Sequence, residues 1–264
     1  MKKILSIAAS AVLTTGLFLS CGKDANVIKV GATPEPHAEM LNLIKEDVEA
    51  AGYKLQVVEF TDYVTPNEAL EAGDIDANFF QHLPYMDSFN KESGYHLVSA
   101  AGIHIEPIAL YSKKVTKLAD LKKGADIAIP NDPTNEGRAL LLLEAAGLIK
   151  LSADAGLEAT PVNIAENPNG FKFTEVEAAT LPRVLDDVDA AVINGNYAIP
   201  VGLSATKDGL FVENAESPYV NIVSVKDGNQ NNPKVQAVVK ALQSDKIKNW
   251  VADKYKNGEV VVVF

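Results

Sequence analysis

The 264-residue chain contains one cysteine, one tryptophan and two arginines. A single thiol excludes an intramolecular disulfide framework, Cys-rich zinc sites and CxxC redox chemistry. Positive charge is also scarce: 24 Lys+Arg stand against 35 Asp+Glu, for a formal net charge of −11. That balance argues against nucleic acid as a partner and against broad binding to anionic membranes, since both need a basic surface. Catalytic signatures are missing: there is no G-x-S-x-G, no Walker loop, no G-x-G-x-x-G and no HExxH. What the chain does have is a core, with 47% apolar and 22% charged residues, which suits one large domain or two small ones and not a disordered chain.

The cysteine is not placed at random. Lys2 and Lys3 precede an apolar stretch over 4–19, interrupted only by Ser, Thr and Gly. The stretch is shorter than the ~20 apolar residues that span a bilayer, and its flanks suit a secretory signal. It ends Leu17-Phe18-Leu19-Ser20-Cys21-Gly22. That ending resembles a bacterial lipobox, in which the cysteine is lipidated and becomes residue one; the position where most lipoboxes have Leu holds Phe18. The expectation is a signal peptide over 1–20, with a lipid-anchored tether over 21–26 that binds the bilayer through Cys21. The mature chain then keeps 244 of the 264 residues, and losing Lys2 and Lys3 takes the charge from −11 to −13. No other segment approaches transmembrane length, so the expected location is the cell membrane, lipid-anchored, facing the periplasm or the cell exterior.

Beyond residue 26, strand-like and helix-like runs alternate, which predicts an α/β fold with parallel sheet. Strands are expected at 27–32, 55–60, 75–80, 126–130, 172–176 and 188–193. Helices are expected at 38–51, 83–91 and 134–146, with a capping box at Thr65-Pro66-Asn67-Glu68 opening a short helix that Gly73 stops. Two echoes suggest a repeated architecture: strands 27–32 and 126–130 each lead into a proline-bearing turn, and Asp74-Ile75-Asp76-Ala77 is matched by Asp187-Val188-Asp189-Ala190. The reading is two lobes joined by two crossings: lobe 1 over 27–110 and 205–264, lobe 2 over 111–204. A hinge and a cleft of that kind suit ligand capture by closure.

In parallel sheets, ligands sit beyond the carboxyl ends of strands. Those ends carry Thr33 and His37, then Phe80, Gln81, His82 and Tyr85, then Asn131, Asn135 and Arg138, then Asn194, Asn196 and Tyr197. Aromatics, amides and one arginine make a site for a small zwitterion with an apolar side chain. Arg138 follows a strand end by about one helical turn, and a guanidinium fork suits a carboxylate. Arg183 stands three and four residues before Asp186 and Asp187, so it reads as a helix-surface pair. His82 and His104, with Glu106 nearby, follow no zinc spacing and read as hydrogen-bonding or packing residues; no metal and no cofactor is expected. Alternation along 78–80 lets only one of Phe79 and Phe80 face the cleft.

Several longer strings are more specific. They include Tyr63-Val64-Thr65-Pro66-Asn67-Glu68, Phe80-Gln81-His82-Leu83-Pro84-Tyr85, Ile129-Pro130-Asn131-Asp132-Pro133-Thr134-Asn135, Ala191-Val192-Ile193-Asn194 and Glu216-Ser217-Pro218-Tyr219-Val220-Asn221. Through them the chain resembles the NlpA-type methionine-binding lipoproteins, the substrate-binding components of bacterial methionine ABC importers. The resemblance implies a two-lobed periplasmic-binding-protein fold, L-methionine as ligand, and an ABC permease and ATPase complex as partner, with no enzymatic activity. It implies Arg138 at the methionine carboxylate and Asn221, Asn194 and Asn135 at the polar end, with Asn196 also a candidate. Tyr63, Phe80, His82 and Tyr85 would surround the side chain, and His104 and Glu106 are further candidates at the crossing. Other readings stay open: another apolar amino acid, a methionine-containing dipeptide, or a lipid-anchored surface protein that binds a partner.

Overall fold

The structure is a computed structural model, and it describes residues 26–214 and 217–264. Cys21, the predicted signal peptide and Glu216 of the quoted string lie outside the described residues.

Two mixed sheets organise the chain. The first runs from Val261–Val262 through Leu97–Ile105, Asn221–Lys226, Ala77–His82 and Val27–Ala32 to Lys54–Glu59. The second runs from Gly209–Val212 through Ala109–Tyr111, Ala190–Ile193 and Asp126–Pro130 to Lys172–Val176. Each has the same heart. Val27–Ala32 lies between its two parallel neighbours, Lys54–Glu59 and Ala77–His82. Asp126–Pro130 lies likewise between Lys172–Val176 and Ala190–Ile193. An antiparallel strand that adjoins a crossing then completes each set: Asn221–Lys226 in the first sheet, Ala109–Tyr111 in the second.

The acidic echo is a matched device. Asp76 accepts from the Lys29 N–H at 2.8 Å, and its own N–H donates to the Lys29 carbonyl at 2.8 Å. Asp189 does the same to Asp126, with both distances 2.9 Å. Each aspartate thus clamps the start of the third strand onto the central strand. Apolar residues on the sheet faces bury against the flanking helices: Ile28, Val30, Met40, Leu41, Ile44, Phe79 and Val238 in one core, Ile127, Ile129, Leu140, Leu143 and Val192 in the other.

Three local expectations change. The run expected as one helix over 38–51 is jointed, as Glu39–Leu43 and Lys45–Ala50, because Ile44 leaves helical geometry at φ −94°, ψ 4°. Its apolar face continues across the joint, with Met40, Leu41, Ile44 and Val48 all buried. The capping box does not form. Asp62 accepts instead from the N–H groups of Val64 and Thr65, both at 2.8 Å, and Thr65 donates its hydroxyl to Asp62. Sheet membership also moves the crossings: Ala109–Tyr111 and Gly209–Val212 pair with each other in the second sheet, not the first. The chain therefore passes between sheets at Glu106-Pro107-Ile108 and returns after Val212, rather than at 110 and 204.

Candidate functional site

Strand register builds one wall of the site. Asn221 stands opposite His82 on one side and opposite His104 on the other. Three polar side chains from distant stretches of sequence are thereby brought to one end of the first sheet. His82 also caps the helix Leu83–Ser93: its Nδ1 accepts from the Tyr85 N–H at 3.1 Å. That bond places the ring proton on Nε2, which donates to Asn135 Oδ1 at 3.2 Å. Tyr85 lies one turn into the helix and donates its hydroxyl to the Tyr63 carbonyl at 2.9 Å. Tyr63, Phe80 and Tyr85 form an aromatic cluster with ring centroids 5.9–6.1 Å apart. Phe80 faces the cleft, while Phe79 is buried in the core, edge-on to His37 at 4.7 Å, as strand alternation requires.

The second lobe supplies the facing wall. Asp132 caps the helix Pro133–Ala145, accepting from the Asn135 N–H at 3.0 Å and from the Asn135 side chain at 2.8 Å. This turns Asn135 Oδ1 into the cleft, where Asn194 Nδ2 donates to it at 2.7 Å. Asn194, Gly195 and Asn196 follow the buried strand Ala190–Ile193. Asn196 accepts from the Tyr63 hydroxyl at 2.5 Å and so ties the walls together. Gly195 is needed for this approach: a Cβ there would lie 2.8 Å from Glu106 Cβ. Arg138 is buried one turn along its helix. Its Nε donates to Glu213 at 2.9 Å, its Nη2 to Glu213 at 2.5 Å and to the Glu106 carbonyl at 2.9 Å. Its guanidinium stacks on the Tyr219 ring, 4.3 Å from the centroid.

Between these walls lies a cavity with about 330 Å³ of space free of protein atoms, part of it open to solvent. Tyr63, Phe80, His82, Tyr85, Glu106, Asn135, Arg138, Asn194, Asn196 and Asn221 line it, together with Gln81 and Gly195. His104 does not reach it. Its Nε2 donates to Glu106 at 2.7 Å from behind, next to His37, whose Nε2 is 3.3 Å from the same oxygen and 3.2 Å from Asn221 Oδ1. Burial lowers the pKa of His37 to about 4, and those of His82 and His104 to about 3. All three are neutral donors at pH 7. Burial pushes the Glu106 carboxyl upward, and nearby His37 and Arg138 oppose that shift.

His37, His104 and Glu106 could hold a metal, since one ligand atom from each lies within 4.8 Å of the others. His104 Nε2, however, already donates to the carboxylate and His37 Nε2 to Asn221, and the arrangement is a hydrogen-bonded support. Sequence reasoning placed His37 at a strand end without assigning it this place. It gave no signal for Glu213, which faces Arg138 only because the return crossing brings it there. The expected Arg183 pair is not made with Asp186: the helix ends at Val184, and Asp186 binds Lys113 at 2.6 Å. Among the described residues, two buried amide atoms of the cavity wall have no protein partner, Asn194 Oδ1 and Asn196 Nδ2.

Two α/β lobes, two crossings and a ligand-sized cavity between them define a substrate-binding protein of the periplasmic-binding type. The NlpA lipoprotein family matches residues 28–264, and the chain belongs to that family. It is 48% identical to the membrane lipoprotein TpN32 of Treponema pallidum, over 98% of this chain and 94% of that one. It is 45% identical to the D-methionine-binding lipoprotein MetQ of Escherichia coli, over 96% of each. A nutrient-binding protein from Burkholderia cenocepacia, solved bound to methionine, superposes with a TM-score of 0.87 at 48% identity, covering 90% of this chain and 100% of that one. Among the described residues no helix is long and apolar enough to cross a membrane.

Proposed function

We propose that this chain binds L-methionine in the interlobe cavity and delivers it to an ABC permease and ATPase complex, while lipid on Cys21 holds it at the membrane. Nothing is chemically transformed. The observation that carries the reading is the division of the cavity into two chemistries. One end is the aromatic cluster of Tyr63, Phe80 and Tyr85, which suits a thioether side chain. The other end presents Arg138, Asn221 and the two unpartnered amide atoms, an acceptor on Asn194 and a donor on Asn196. A zwitterion needs both an acceptor and a donor.

The test is thermal unfolding and calorimetry with L-methionine, D-methionine, leucine and glycyl-methionine. A ligand at 100 times its Kd adds about 2.7 kcal/mol of stability and raises the melting temperature. L-Methionine is expected to give the largest shift. No shift and no heat with L-methionine, alongside a clear response to another compound, sinks the assignment. Loss of membrane association on Cys21→Ser tests the anchor.

A further inference from the structure

Behind the aromatic end of the cavity, a group of polar side chains is closed off from solvent. Asn67, Asn78 and Ser224 are fully buried, and Gln81 is nearly so. Asn67 comes from the helix Thr65–Ala72, Asn78 and Gln81 from the strand Ala77–His82, and Ser224 from the strand Asn221–Lys226. Their bonds close on one another. Asn67 Nδ2 donates to Gln81 Oε1 at 2.9 Å, and Asn67 Oδ1 accepts from Asn78 Nδ2 and from Gln81 Nε2, both at 2.8 Å. Gln81 Nε2 also reaches Asn78 Oδ1 and Ser224 Oγ, each at 3.1 Å. Gln81 lines the cavity, yet its amide N–H groups and its oxygen all have partners in this network. That amide is committed to the protein and not to a ligand.

The network holds an irregular piece of backbone. Ile222 stands opposite Gln81 and its neighbour Val223 opposite Phe79, so Phe80 is an extra residue on its strand. A bulge of this kind re-aims the side chains beside it. Asn78 and Gln81 show the effect: they are three residues apart, a spacing that a regular strand sends to opposite faces, and yet their side chains bond each other. Without the bulge, Gln81 would share the face of Phe79, inside the apolar core. An amide there without partners costs free energy, so the network favours the bulged register. The extra residue of that register, Phe80, lines the cavity against Tyr63 and Tyr85. Asn67 bears on Tyr63 as well. It sits in the first turn of the helix that follows Tyr63-Val64, and its N–H donates to the Val64 carbonyl at 3.2 Å.

We infer that Asn67, which does not line the cavity, is a positioning residue for its aromatic end: through Gln81 it holds the bulge that presents Phe80, and through its helix it holds Tyr63, so it sets how sharply the cavity distinguishes ligand side chains. The inference rests on the amino-acid reading above and adds to it a residue that acts from behind the wall. Asn67 is the hub because it alone bonds both Asn78 and Gln81 from another element of the fold with a donor and an acceptor. Removing it leaves buried amides on the strand short of partners, and the strand is then free to shift where Phe80 is presented.

The experiment measures Kd on the full chain for L-methionine by calorimetry and for L-2-aminobutanoate by displacement of methionine. The second probe has the same ammonium and carboxylate, but its side chain lacks the sulfur and the terminal methyl and stops short of the aromatic end. In Asn67→Leu the Kd for methionine is expected to rise about tenfold, the scale of one misplaced aromatic contact. The Kd for aminobutanoate is expected to stay within about threefold, so the ratio of the two affinities falls. A merely structural role for Asn67 would lower the melting temperature and weaken both probes alike. An unchanged ratio in a folded Asn67→Leu variant therefore overturns the inference and leaves methionine binding standing. If Asn67→Leu does not fold, Asn78→Ser, which loosens the network from the strand side and keeps a hydroxyl, is read for the same ratio with the same expected fall. If neither variant folds, the network serves the fold and the inference is overturned. If methionine does not bind but leucine does, the ligand assignment falls, and the Asn67 inference is decided by leucine against aminobutanoate. If no α-amino acid binds, both fall.

Discussion

The two lobes repeat one plan and present different side chains to the cavity. Both place a central strand between two parallel neighbours, both add an antiparallel strand that adjoins a crossing, and both clamp the third strand with an aspartate. Yet the first lobe contributes the aromatic cluster with His82, Gln81 and Asn221, while the second contributes Arg138 and the amides of Asn135, Asn194 and Asn196. The shared parts are backbone pairing and apolar faces. The differing parts are the residues just past the strand ends, which the sheets leave free to vary. A repeated scaffold can therefore carry a cavity with an apolar end and a charged end.

The largest expected effect lies in the second lobe. Arg138→Ala leaves the Glu213 carboxylate, 15% exposed, without its partner. Breaking a buried ion pair costs about 3–5 kcal/mol. The expected result is a loss near the lower end of that range in denaturant unfolding, together with weakened methionine binding. Adding Glu213→Gln is expected to restore stability but not affinity. A stable Arg138→Ala single variant would show that the pair is not structural.

In the first lobe, Phe80→Ala removes one wall of the aromatic cluster. Loss of a buried aromatic contact of about 1.5–3 kcal/mol corresponds to roughly a 10- to 100-fold rise in Kd. Calorimetry checks it, and an unchanged Kd would place the ligand side chain elsewhere.

The lobes are also expected to respond to acid with opposite sign. His37, His82 and His104 have folded pKa values of about 4, 3 and 3 against an ordinary 6.5. The unfolded chain binds protons first, so this stability is complete above pH 6.5 and is lost as pH falls towards 4. Glu136, in the second lobe, is raised by burial to about 7 from 4.5, with Glu175 and Asp132 adding to the rise. Here the folded state binds the proton first, so its contribution is present below pH 4.5 and is lost as pH rises through 7. Hydrogen exchange resolved by segment, between pH 5 and 7.5, should show protection in strands Val27–Ala32 and Ala77–His82 rising with pH. Protection in Pro133–Ala145 should fall with pH, and Glu136→Gln should abolish that trend.

The smallest effect tests the sameness of the lobes. Asp76→Asn and Asp189→Asn each weaken one bond to a backbone N–H, at a cost of about 1 kcal/mol. Equal losses are expected because the two clamps have the same geometry. Unequal losses would mean that the neighbouring lysines, Lys234 and Lys114, carry part of the effect.

The Asp76 and Asp189 clamps were legible as an echo of four residues, and the strands at 27–32, 126–130 and 172–176 were legible from their apolar runs. Thr65 was misread as a cap because the competing acceptor, Asp62, lies just outside the motif. The crossings were misplaced because Ala109–Tyr111 and Gly209–Val212 are apolar enough for either sheet, and only pairing decides between them.

Local pattern thus determined which residues form strands and helices and which side chains sit at strand ends, because those properties follow from periodicity and turn chemistry over a few neighbours. Tertiary structure decided the rest. Asn221 reaches the cleft because antiparallel register sets it between His82 and His104. Arg138, the arginine that stands past a strand end in the sequence, is paired with a glutamate 75 residues away. Glu106, inconspicuous among 35 acids, becomes the buried carboxylate that no arginine or lysine pairs with among the described residues. Charge balance in a buried site depends on which groups share a low-dielectric space, and no short-range pattern encodes that.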